Sequence, residues 1–271
     1  MNHSWIVFSA AGALMSAALY HGLTVRSYTF ATAKIEKPVR LILLADLHGC
    51  FYGENQSGIL GKINSLRPDA VVMAGDMLDD ALPAAGTTTL LSALSKKYPC
   101  YYAMGNHEVR RGGVNKIKKQ VRLLGVTVLD GKSERLKTPS GGELIICGAD
   151  DPMAGKKQFL RQLDAALRNN DQNRYTVLLS HRPELLPVYS KFGFDLALTG
   201  HAHGGQWRVP FLINGVFAPH QGLFPKYAGG AYHENGTDMV VSRGLAKNSA
   251  PPLPRIFNPP ELVVVDIIPV M

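Results

Sequence analysis

Short apolar runs recur along this chain, and nearly every one in its first two thirds stops at an aspartate, an asparagine or a histidine. The runs cover residues 41–45, 70–74, 101–104, 144–147, 175–179, 195–199, 239–242 and 262–267. Each is too short for a helix, and their length and composition predict buried strands. Residues 54–66, 86–97, 113–124 and 156–169 lie between them and have helical spacing and good helix formers. Strands that alternate with helices predict an α/β architecture. No repeat or low-complexity tract interrupts it, and the proline-rich stretch 251–260 reads as a surface loop.

The residues that end the runs are metal-ligand types. Asp46 and His48 follow the first, Asp76 the second, Asn106 and His107 the third, and His181, His201 and His203 follow two more. The carboxyl ends of strands in an open α/β sheet converge on one edge, so five separate segments can meet in one site. Carboxylate, amide oxygen and imidazole together suit divalent Mn, Fe, Zn or Co better than Ca or a thiolate site. Two such ions about 3.5–4 Å apart must share a ligand, and a carboxylate with two oxygens is the natural bridge. Asp76, alone at its strand end, is the candidate.

In order, the chain reads Asp46-Leu47-His48, Gly75-Asp76-Met77-Leu78-Asp79, Gly105-Asn106-His107-Glu108, His181 and Gly200-His201-Ala202-His203. This set resembles the motifs of the calcineurin-like metallophosphoesterase superfamily. The stretches 200–206, 242–244 and 259–261 are similar to the subgroup that contains the bacterial YkuE and YaeI proteins. The resemblance implies an αββα sandwich of two mixed sheets flanked by helices, here preceded by an N-terminal hydrophobic helix. It implies that Asp46, His48, Asp76 and His203 hold one divalent ion, and that Asp76, Asn106, His181 and His201 hold the other. His107 would then serve as the acid for the leaving oxygen, with Asp79 orienting its ring. The implied reaction is hydrolysis of a phosphomonoester, phosphodiester or pyrophosphate by metal-activated water. A nucleophile elbow and a phosphate-cradling P-loop are both absent from the sequence. A nuclease, a cyclic-nucleotide phosphodiesterase and a non-catalytic metal-binding scaffold are the competing readings.

Residues 1–25 carry no charged side chain, and 5–23 are about long enough to cross a bilayer as a helix. We therefore expect 1–25 to be a membrane segment or uncleaved signal anchor, 26–38 a linker and 39–271 the catalytic domain. Arg26, Lys34, Lys37 and Arg40 follow the apolar segment, which by the positive-inside bias places that domain on the cytoplasmic side of a bacterial inner membrane. An anchored enzyme suggests a lipid-linked phosphate substrate, such as the UDP-diacylglucosamine that some relatives cleave. The net charge of +8 favours anionic partners, although the anchor argues against nucleic acid.

Other residues carry milder expectations. The basic run from Arg110 to Arg122 reads as a solvated helix face, Glu108 as a helix N-terminal acid, and His220 and His233 as non-ligands. Arg182 and Arg243 each face either a phosphate or a neighbouring carboxylate. The apolar loop 211–227 either packs on the core or forms a lipid-facing lip. Cys50, Cys100 and Cys147 follow no metal-finger spacing and cannot all pair within the chain, and Cys100 and Cys147, in apolar runs, read as packed thiols.

Overall fold

A computed structural model describes residues 12, 14–168, 173–247 and 254–270. Among these, two six-stranded mixed sheets face each other. In the first, β2 (Val39–Leu44), β3 (Ala70–Ala74), β4 (Cys100–Ala103) and β5 (Thr127–Val128) run parallel. β14 (Glu261–Pro269) pairs antiparallel with β2, and β1 (Thr24–Thr32) lies parallel to β14 at the edge. In the second sheet β7 (Glu143–Gly148), β8 (Thr176–Leu179), β9 (Leu196–Thr199) and β13 (Thr237–Val241) are parallel. The antiparallel strands β6 (Lys132–Lys137) and β12 (Gly230–Glu234) close its two sides.

Side-chain alternation explains the layers. Leu41, Leu43 and Ala45 join Val72, Ala74 and Ala103 in a core shared with Ile146, Val177, Leu179 and Leu198 of the facing sheet. Ile42, Leu44, Val71 and Met73 point the other way and meet Ile59, Ile63, Leu90, Leu94, Ile117 and Val121 on the helices Ser57–Leu66, Ala85–Ser95 and Val114–Leu123. The second sheet's outer face is covered by Phe159, Leu163, Leu186 and Tyr189 on Lys156–Leu167 and Leu186–Phe192. Strands buried on both faces must be apolar throughout, which is why these runs do not alternate in sequence.

The N-terminal region departs from expectation. Residues 24–32, read as the end of the apolar segment and most of a linker, form β1. Its residues are mixed polar and apolar and none is fully buried, as an edge strand permits, so it shows no apolar run. Residues 14–18 are helical, and the Ala18 carbonyl accepts the Phe257 N–H at 2.8 Å. No described helix is long and apolar enough to cross a membrane. Residues 1–11 and 13, part of the expected span, lie outside the described residues.

Two other expectations are revised. The basic run is not simply solvated, because Lys118 is buried with Nζ 2.6 Å from Asp150. Glu108 does more than oppose a helix dipole. Its Oε2 accepts the N–H groups of Gly105 at 2.8 Å and Asp76 at 3.0 Å, and its Oε1 accepts the Leu78 N–H at 2.9 Å and the Tyr102 hydroxyl. This fully buried carboxylate therefore ties the loop after β3 to the loop after β4. Glu108→Ala leaves three backbone donors unpaired, and we expect it to lower stability by about 3–5 kcal/mol. Urea denaturation measures this, and a change below about 1 kcal/mol would contradict the role.

Candidate metal centre

All five ligand-bearing segments begin where a central strand ends, and they meet in one cleft between the two sheets. Their loops hold one another by backbone bonds: Asp46 N–H to Gly75 C=O at 3.1 Å, His48 N–H to Asp76 C=O at 3.1 Å, and Gly200 N–H to His181 C=O at 3.2 Å. Both Asp46 oxygens accept the His201 N–H at 3.1 Å, joining the sheets across the cleft. The motif glycines permit this closeness. A Cβ on Gly75, whose φ is +86°, would come within 2.6 Å of His181 Nδ1, and one on Gly105 within 2.3 Å of Asp76 Oδ1.

Two groups of donors result. Asp46, His48 and His203 form one, and Asp76, His181 and His201 the other, the atoms within each lying no more than 4.8 Å apart. In the second, His181 Nε2 is 3.0 Å from Asp76 Oδ2 and 3.2 Å from His201 Nδ1. Neighbours settle the tautomers of His181 and His48. His181 donates Nδ1–H to the Ala74 carbonyl at 2.7 Å, and His48 donates Nδ1–H to Asp79 Oδ2 at 2.8 Å, so both leave a lone pair on Nε2. His201 Nε2 lies 2.9 Å from His220 Nδ1 and 3.1 Å from Arg182 Nη1. Arginine cannot accept, so Arg182 donates here, and a ligating His201 would use Nδ1, which lies 3.2 Å from His181 Nε2.

Donors arranged in this way fit bound cations. His48 Nε2 and Asp76 Oδ2 are buried and have no hydrogen-bond partner. One terminal atom of the Asn106 amide lies 3.3 Å from His181 Nε2 and 2.8 Å from His201 Nδ1. Turned with its oxygen toward those rings, the amide would add a further donor to the second group. Burial lowers the pKa of His181, but Asp76 and Asp46 outweigh it and lift it to about 10, so these carboxylates call for positive charge at Nε2. Burial holds His201 and His203 well below the usual histidine range, as neutral imidazoles able to ligate. Asp76 Oδ1 accepts the His107 N–H at 2.8 Å. One oxygen, Oδ2, therefore remains to face both groups, in place of the two oxygens expected of a bridge.

Backbone strain marks the same residues. Asp46, His48, Asp76, His201 and His203 all have φ between 47° and 67°, the left-handed region that non-glycine residues seldom enter. Such strain persists only where the surrounding structure enforces it, and it concentrates at functional sites.

His107 stands apart from both groups. Its ring meets His48 edge to face at 4.5 Å, and its Nε2 lies 3.9 Å from Asp76 Oδ2, beside the Arg110 guanidinium. Asp79 was the expected partner, but it lies 3.4 Å from His107 Nδ1, and the nearer carboxylate is Asp80 at 2.6 Å. Asp79 instead holds His48, whose hydrogen bond keeps its carboxyl well below the usual range against some desolvation. Sequence reasoning missed Asp80, whose only signal was a second acid beside Asp79. It also set aside His220, whose φ is +61° and whose Nδ1 contacts His201 and Arg182. Arg182 faces a carboxylate, Asp151, through bonds of 2.5 and 2.9 Å. Arg243 faces Glu261 at 3.7 Å.

Residues 39–205 match the model of the calcineurin-like phosphoesterase family. A metallophosphoesterase of Helicobacter pylori strain J99 is 28% identical over 241 residues, which cover 87% of this chain and 61% of that protein. The chain therefore spans about three fifths of that relative's length. The metallophosphoesterase YkuE of Bacillus subtilis strain 168 is 26% identical, the match covering 83% of this chain and 77% of that protein. The phosphodiesterase YaeI of Escherichia coli K12 is 30% identical, with 67% and 66% covered.

If His220 orients a ligand, His220→Ala should weaken binding of one Mn²⁺ of a pair by about 10–100-fold, as loss of such a partner typically does. Titration calorimetry reads both affinities, and two unchanged constants would contradict it.

Proposed function

The chain belongs to the calcineurin-like phosphoesterase family, and on that premise we propose that it hydrolyses phosphoesters with two divalent ions bound side by side in this cleft. The observation that carries the reading is the pair of donor groups meeting at one hydrogen-bond-free oxygen, Asp76 Oδ2. Asp46, His48, Asp76 and His203 hold one ion, and Asp76, Asn106, His181 and His201 the other. What such a pair supplies when bound is Lewis acidity toward phosphoryl oxygens and a water acidic enough to ionise near neutral pH.

The chain's own residues supply the rest. Asp80 accepts from His107 Nδ1 and fixes the ring, so that Nε2 is the nitrogen placed to protonate the leaving oxygen. Arg110 sets a guanidinium beside that nitrogen and draws in an anionic substrate. His48, turned by Asp79, keeps its Nε2 for the metal.

The substrate we favour carries an apolar portion, and a lipid-linked phosphate met at a membrane fits best. Phe211, Leu212, Phe217, Leu223 and Phe224 are exposed on the segment that follows the His201–His203 motif, two of them more than 80%. Ala218 and Tyr227 of the same stretch are buried, so it packs by its base and presents its apolar tips. The uncharged N-terminal residues support membrane attachment, with the catalytic domain on the cytoplasmic face.

Purified protein with Mn²⁺ should cleave bis-p-nitrophenyl phosphate. Asp76→Asn should abolish turnover, His107→Ala lower kcat by about 10²–10⁴-fold, and Asp80→Asn lower it by about tenfold with metal content unchanged. Wild-type rates in all three variants would contradict the reading.

A further inference from the structure

We propose that a cavity of about 350 Å³ beside the second ligand group is the subsite for an apolar substituent of the phosphoester, an inference that rests on the phosphoesterase reading above. Met153, Phe159, Leu160, Leu185 and Val188 form its walls, and Arg182 and His220 also line it. These last two residues contact His201, so the cavity adjoins the point where the phosphoryl group is held. Its volume suits one small moiety.

The polar groups decide what it takes. Arg182 is 3% exposed, and its guanidinium is already committed: Nε and Nη2 to the two oxygens of Asp151, and Nη1 to His220 Nδ1 at 2.5 Å. A guanidinium so neutralised does not hold a second phosphate or a carboxylate. Glu184 also lines it, with Oε2 buried and lacking a hydrogen-bond partner, so a second anion is repelled and the remaining wall to recognise is apolar surface. Lys156, also lining the cavity, suits a substrate whose apolar part is attached to an anion.

His220 marks the passage between metals and cavity. It occupies the turn of the hairpin β10 (Phe217–Ala218) and β11 (Gly222–Leu223), beyond the residues matched by the family model. Its left-handed backbone, shared with five of the proposed ligands, is held where its Nδ1 meets both His201 and Arg182. The same hairpin carries Phe217 and Leu223, both exposed, so an apolar chain running from the cavity toward solvent finds further apolar surface there.

Hydrolysis of alkyl p-nitrophenyl phosphates from methyl to hexyl tests this. We expect kcat/KM to rise at least about tenfold along the series, since each buried methylene adds to binding. In Val188→Trp, which fills the cavity, the rise should vanish while the methyl ester is cleaved as before. Calorimetry should show hexylphosphonate binding more tightly than methylphosphonate in the wild type alone. If Val188→Trp also loses the methyl-ester activity, Leu160→Glu at the half-exposed wall makes the same comparison. Rates independent of chain length, or a rise that survives both variants, would overturn the subsite and leave the phosphoesterase reading intact. No turnover of any ester by the wild type would overturn that reading and the subsite with it.

Discussion

Asp46 and Asp76 are buried at the meeting point of two sheets, and the structure is organised around that placement. Two carboxylates so close, surrounded by imidazole lone pairs, repel one another unless positive charge lies between them. The fold surrounds them with few donors: the His201 N–H for Asp46, the His107 N–H for one oxygen of Asp76, and for the other only the His181 ring at 3.0 Å. On the proposed reading, divalent cations would complete this arrangement. The left-handed backbone at five of the proposed ligands is the local strain that their geometry imposes, and the all-apolar core between the sheets keeps the loops from relaxing it.

Around this centre, residues act in pairs across loops. Glu108 joins the loop after β3 to the loop after β4, so Asp76 and Asn106 are presented together. Asp79 turns His48, Asp80 turns His107, the Ala74 carbonyl turns His181, and His220 turns His201. His48, His181 and His201 thus each have one nitrogen held by a neighbour and the other turned into a donor group, which is what separates a ligand histidine from a buried one. The hairpin bearing His220 extends this logic toward the substrate, because the residue that orients a ligand also borders an apolar cavity.

Much of this was legible in the sequence. Strands buried on both faces must be continuous apolar runs, so the eight central ones stood out and their ends located Asp46, Asp76, Asn106, His181 and His201. Among the strands that escaped notice, β1, β6 and β12 lie at sheet edges, where half-exposed residues are tolerated and no periodic signal survives, while β5, β10 and β11 are two residues each, too short to leave one. Asp80 and His220 escaped for another reason. Their importance lies in which ring each one faces, and spacing along the chain does not encode contacts made across a hairpin or between adjacent acids. Glu108 was visible only as a helix-start acid, because its partners on the neighbouring loop are thirty or so residues away.

The central claim is that Asp76 joins two metal sites through one oxygen. Anomalous diffraction at the manganese edge, from crystals of the Mn²⁺-loaded protein, tests it most directly. The account predicts two peaks about 3.5–4 Å apart, with Asp76 Oδ2 between them and His48 and His181 on opposite sides. A single peak, or two peaks of which only one contacts Asp76, would contradict it.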